Sequence, residues 1–133
     1  MDQDRAQRTF DLTGCEVTRL VFDYSDGILI ADGSDEVSIL IETRILFHHD
    51  GIESEIDPQV DALSMAPLLN LLHKPTKSIT FSSSGNLRLE MMDGAVVSVF
   101  KDEIYDSWEA NGTGQFAEIA MLCTPHDAPP WQV

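Results

Sequence analysis

Residues 77–101 read KSITFSSSGNLRLEMMDGAVVSVFK. Along the middle, Leu87, Leu89 and Met91 fall on one side and Arg88 and Glu90 on the other, the period of a strand with one face on a core and one in water. Ser84-Gly85 and Asp93-Gly94 interrupt the run, and Asp-Gly suits tight hairpins because glycine accepts positive φ and Asp tolerates it. AVVSVF is apolar on both faces, which predicts a central or sandwiched strand. The stretch therefore reads as a β-meander of three strands and two turns.

The same grammar extends through most of the chain. Asp26-Gly27, Asp32-Gly33 and Asp50-Gly51 punctuate further β-branched runs, including VSILIE, which is also apolar on both faces. Strands are predicted at 16–24, 27–31, 36–42, 44–49, 52–56, 77–82, 86–92, 95–101 and 115–123. LVFDYSDGILI, then ADG and VSILIE, aligns with ITFSSSGNLRL, then EMMDG and VVSVF, placing Phe22 on Phe81 and Ser25 on Ser84. Duplicated three-strand units joined by a helical segment are the expectation. Within that segment Asp57-Pro58 has the form of an N-cap followed by proline at the first helical position. Pro67 divides it, so a turn or short helix after Pro58 and a second helix over 67–73 are predicted, with Leu68, Leu69, Leu71 and Leu72 forming a lid on the sheet. The fold class is α+β, mainly β: an antiparallel meander rolled into a sandwich or half-barrel with one short helix packed on it.

A chain of 133 residues fits one domain, 1–133, with a loosely ordered N-terminus over 1–13 and an irregular tail over 124–133 expected at its ends. With 43% hydrophobic and 23% charged residues the balance is globular. MDQDRAQRTFDLTG carries no apolar stretch behind a basic start, and no window reaches the length of a membrane span, so a cytoplasmic protein is expected. Cys15 and Cys123 read as small buried apolar residues rather than a disulfide, unless the terminal strands are neighbours. Net charge is −15, and from Val21 to Asp61 eleven carboxylates stand against one cationic side chain, Arg44. Such a surface repels phosphate backbones and anionic membranes and attracts a basic protein, so no nucleic acid and no membrane are expected as partners.

Candidate site residues concentrate in IYDSWEANG, residues 104–112. In a strand Tyr105 and Trp108 would face opposite ways; in one turn of helix they would stack three apart. Two uses compete: Trp108 closes the open end of the β-layer while Tyr105 bonds backbone, or Tyr105, Asp106, Trp108 and Glu109, with Asp102 and Glu103, form a binding patch for a cationic surface. FHHD offers His48, His49 and Asp50 as weak metal candidates, but neighbours on a strand face apart, and His73 and His126 would have to converge from afar. No glycine-rich phosphate loop or Gly-x-Ser-x-Gly element is present, neither cysteine has an electropositive neighbourhood, and no cofactor is indicated.

Phe22-Asp23-Tyr24 before an Asp-Gly pair, Asp57-Pro58 ahead of APLLNLLH, SGNLRLEMMDGAVVSV, and finally YDSWEANG resemble a small family of uncharacterised bacterial, largely actinomycete, proteins known only as a domain of unknown function. The resemblance spans roughly Gly14 to Leu122, and its most specific element is the Tyr-acid-small-Trp-Glu stretch from Tyr105 to Glu109. It implies a compact single domain without a known catalytic set, in a group associated with toxin and immunity gene neighbourhoods.

The leading expectation is a non-enzymatic acidic interaction module binding a basic partner protein, with an immunity-type inhibitor its sharpest form. The alternative is a small enzyme or metabolite-binding domain with a pocket between helix and sheet. Self-association into a homodimer through edge strands is a third.

Overall fold

A computed structural model describes residues 6–125 and 128–131. Two antiparallel sheets face each other. One orders its strands β1 (Gln7–Asp11), β7 (Thr76–Ser82), β8 (Leu87–Met91), β9 (Val96–Val99), β5 (Ile45–His49) and β6 (Ile52–Ile56). The other orders β11 (Ala120–Cys123), β10 (Trp108–Gly112), β4 (Asp35–Ile41), β3 (Asp26–Asp32) and β2 (Glu16–Phe22). The architecture is the expected mainly-β sandwich, without a closed barrel.

The alternation of the sequence builds the core. Ile28 and Ile30 on β3, Val37, Ile39 and Ile41 on β4, Ile79 and Phe81 on β7, and Leu87, Leu89 and Met91 on β8 are all buried. Successive side chains of a strand point to opposite faces, so each of these sets lies on one face of its sheet. The meander in residues 77–101 forms as β7-β8-β9, turning at Ser84-Gly85 and Asp93-Gly94. The β5–β6 hairpin turns on Asp50-Gly51, both at positive φ (52° and 75°).

The two three-strand units, β2-β3-β4 and β7-β8-β9, lie one in each sheet. Their aligned phenylalanines are not equivalent, since Phe22 is exposed and Phe81 fully buried. Asp26-Gly27 also departs from its expected use as a turn. Phe22 pairs with Asp26 across β2 and β3, the turn lies at 23–25, and Asp26 opens β3.

Four further expectations change. Residues 7–11 form an edge strand against β7, with register Gln7 to Ser82, where a loose terminus is expected over 1–13; residues 1–5 lie outside the described residues. The strand predicted at 115–123 is instead β10 at 108–112, a 3₁₀ turn Gly114–Phe116, and β11. The two predicted helical pieces are one 3₁₀ helix, Ala62–Leu71, with Pro67 inside it. Its N-cap is Asp61, whose carboxylate accepts from the N–H of Leu63, whereas Asp57 accepts from the N–H of Gln59 in a turn before the helix. Met65, Leu68 and Leu71 close onto the core, while Leu63 and Leu69 are exposed.

Of the tail expected over 124–133, residues 126–127 and 132–133 lie outside the described residues, His126 among them. The carbonyl of Pro130 accepts from the N–H of Leu122, and Trp131 packs beside the core with the Arg8 guanidinium 4.4 Å above its ring. No helix among the described residues is long and apolar enough to cross a membrane.

Candidate functional site

The segment between β9 and β10 is neither strand nor helix. Asp102 accepts at one carboxylate oxygen from the N–H groups of Ile104 (2.7 Å) and Tyr105 (3.1 Å), and these two bonds hold its carboxyl below the ordinary range. Ser107 clamps the far end. Its hydroxyl oxygen accepts from the N–H of Asp102, its carbonyl from the N–H of Glu42 (2.9 Å), and its N–H donates to the carbonyl of Cys123 (3.0 Å). Residues 103–106 are therefore pinched outward as a loop, leaving Ile104 and Tyr105 72% and 71% exposed.

This loop forms one wall of a cleft of about 450 Å³ at the ends of the strands, lined by Glu42, Thr43, Arg44, Asp57, Gln59, Asp102, Tyr105 and Asp106. Four carboxylates line it against one guanidinium, and the Arg44 guanidinium is already paired with Glu55 at 2.9 Å. An adjoining hollow of about 330 Å³ shares Thr43, Arg44 and Asp102 and continues to Leu46, Glu55, Phe100 and Lys101. The cleft lies at strand ends, whereas Met65, Leu68 and Leu71 of the helix are buried in the core.

Within electrostatic reach of Asp57, a wall of the cleft, sits a side chain that turn chemistry conceals in the sequence. Asp26 shares the inward face of β3 with Ile28 and Ile30 and is fully buried, and neither of its carboxyl oxygens has a hydrogen-bond partner. Burial raises its pKa to about 6, and the neighbouring charge of Asp57, a wall of the cleft, pushes in the same direction. Gln59, also in the cleft wall, donates its amide to the carbonyls of Tyr24 (3.2 Å) and Glu42 (3.5 Å). Glu42 directly follows Ile41, the cross-strand partner of Asp26.

The patch expected at residues 105–109 is divided by the fold. Tyr105 and Asp106 line the acidic cleft. Trp108 is only 2% exposed, the placement of a side chain that closes the β-layer and not of a member of an exposed patch: as the first residue of β10 it faces inward, stacks on Phe81 with ring centroids 5.3 Å apart, and donates its indole N–H to the Gly85 carbonyl. Glu109 points to the opposite face of β10 and is half-buried; with Asp106 it borders a hollow of about 100 Å³ that Trp108 also edges. Glu42, Asp57, Gln59 and Asp26 were not legible as site residues, although Asp26 stands in phase with Ile28 and Ile30 in the sequence, a signal of an inward-facing carboxylate.

His48 and His49 project to opposite faces of β5. His49 lies 3.6 Å from Asp50 and 3.9 Å from Asp93, while His48 is exposed. Among the described residues no group of three or more His, Cys, Asp or Glu side chains converges so as to hold a metal ion. Both cysteines are free and buried, with burial raising each thiol above its ordinary pKa.

Fold and site together define an acidic β-sandwich with a carboxylate-lined cleft at the ends of its strands. The chain belongs to a family of unknown function, DUF6188, whose model matches residues 9–128. No curated protein and no solved structure matches the chain.

Proposed function

We propose that the protein is a non-enzymatic interaction module that binds a basic partner protein at the acidic cleft, and that an immunity-type inhibitor is the sharpest form of this role. The observation that carries the proposal is the pairing of negative charge with exposed apolar surface. Tyr105 lines the cleft and Ile104 adjoins it; Val60 follows Gln59, whose amide reaches the Tyr24 carbonyl. All four apolar side chains are more than two-thirds exposed, at 72% for Ile104, 71% for Tyr105, 80% for Val60 and 78% for Tyr24. Aromatic and aliphatic groups of this kind supply the desolvated contacts of an interface, while surrounding carboxylates steer a cationic partner and raise the encounter rate.

The test is affinity co-purification of the tagged protein from its host at low salt, followed by mass spectrometry. A stoichiometric basic protein is expected, lost on Tyr105→Ala or on Asp102→Lys with Asp106→Lys, and associating more slowly as ionic strength rises and the screening length falls to about 8 Å at physiological salt. Recovery of a retained metabolite in place of a protein, or an association rate indifferent to salt, refutes the proposal.

A further inference from the structure

Asp26 is a buried carboxyl group with no partner, set where the inter-sheet layer meets an acidic cleft. We infer that Asp26 is the terminal recognition group of that cleft and takes the ammonium of a lysine side chain inserted past Gln59. The inference rests on the interaction-module reading of the same site and names the group the site receives.

Asp26 is the first residue of β3 and shares an inward face with Ile28 and Ile30, so its carboxyl lies between the sheets at the layer's end. Around that end stand Glu42, one residue beyond Asp26's cross-strand neighbour, and Asp57, one residue beyond the end of β6. Both line the cleft. A buried polar atom ordinarily finds a hydrogen-bond partner, yet both oxygens of Asp26 lack one. The Arg44 guanidinium, the cation of the cleft wall, is committed to Glu55. The missing counter-group is thus a cation supplied from outside.

Its chemical class follows from the surroundings. Among the described residues no metal-holding cluster forms, which favours an organic cation over a metal ion. Gln59 bridges the two chain segments that flank the Asp26 end of its strand, its amide donating to the carbonyls of Tyr24 and Glu42 through two long hydrogen bonds, 3.2 and 3.5 Å, that a small displacement breaks. A lysine suits the site: a compact ammonium with three donors at the end of a slender four-carbon stem. Tyr105, Glu42 and Asp57 flank the stem, and the partner's backbone remains outside against the exposed loop.

The probe is N-acetyl-lysine N-methylamide, titrated into the isotope-labelled protein by NMR, with the ζ-acetylated analogue and the corresponding arginine derivative as comparisons. Saturable shifts at Asp26, Glu42, Asp57 and Gln59 are expected with the lysine probe and not with the neutral analogue, and the Asp26 carboxyl carbon should stay ionised to lower pH in the probe's presence. Asp26→Asn should weaken binding at least about tenfold, and Gln59→Ala should tighten it. Thermal unfolding of Asp26→Asn verifies that it folds; should it not, Gln59→Ala and the carboxyl titration still decide the matter. Absence of saturable shifts, equal binding of the neutral analogue, stronger binding of the arginine derivative, or unchanged affinity in a folded Asp26→Asn overturns the inference. The two readings fail separately: a basic protein captured equally by wild type and Asp26→Asn but lost with Tyr105→Ala leaves the module standing without a lysine at Asp26, whereas no captured protein removes the module reading itself.

Discussion

Trp108 on β10 donates its indole N–H to the carbonyl of Gly85 in the β7–β8 turn at 3.0 Å, joining one sheet to the other at the end of the core. The thiol of Cys123 donates to the same carbonyl at 3.4 Å, and the Phe81 ring stacks on the indole. Trp108→Ala is expected to cost about 3–5 kcal/mol by removing this packing and leaving the Gly85 carbonyl only the weak thiol donor, whereas Trp108→Phe should cost less, mainly the lost hydrogen bond. Denaturant unfolding of the three proteins measures both steps.

Tyr105 lies three residues away with the opposite character. Its side chain is 71% exposed, and its loop is held by Asp102 and Ser107 rather than by its own ring. Tyr105→Ala should change stability by less than about 0.5 kcal/mol while abolishing partner capture. Unfolding and co-purification carried out on the same variant separate the two effects.

The raised pKa of Asp26 has a definite sign in stability. Folded, the carboxyl holds its proton up to about pH 6, whereas the reference value is 3.8, so the folded state binds more protons in that window. Stability should therefore fall as pH rises from about 4 to just above 6, by on the order of 3 kcal/mol from this group, and remain lowered at neutral pH. Asp26→Asn should lack that loss, so the variant gains on wild type as pH rises. Denaturant unfolding at pH 4 and pH 8 gives the comparison, and a wild-type curve parallel to the variant's contradicts it.

Both cysteines are buried with their thiols raised, Cys15 by desolvation and then Asp32, Cys123 by desolvation despite the lowering influence of Ser107. The thiolate is the reactive form, so neither should react with a disulfide reagent at neutral pH while the protein is folded, and both should react in denaturant. Fast labelling of the native protein would contradict their placement.

Gly114 opens the 3₁₀ turn between β10 and β11 at φ 58°, and a Cβ there would collide with the Asp35 carboxylate. Gly114→Ala combines backbone strain with that collision and should destabilise by about 1–3 kcal/mol, partly relieved by Asp35→Ala. A double-mutant cycle in denaturant unfolding reads the coupling.

The sequence by itself determined the strands from β2 to β9 and most of their turns, but not β1 or β10. Alternation such as Leu87, Leu89 and Met91 against Arg88 and Glu90 is a local consequence of strand geometry, and Asp50-Gly51 adopts the positive φ that its residue types favour. Local signals misled where tertiary packing outweighed them. Asp26-Gly27 carries turn chemistry, yet the β2–β3 register takes Asp26 into a strand, and Pro67 sits within a 3₁₀ helix because Met65, Leu68 and Leu71 find the core on either side of it. The sequence left two uses open for the Tyr105–Glu109 stretch, core closure by Trp108 or one binding patch, and the choice depends on β10 starting at Trp108 between β4 and β11. The cleft itself joins Glu42, Asp57 and the Asp102–Asp106 loop from three separate stretches of chain, with the charge of Asp57 felt by the buried carboxyl of Asp26. Only the stacking of two sheets brings those stretches together, because a strand's periodicity states which way a side chain points and not which distant strand end it will meet.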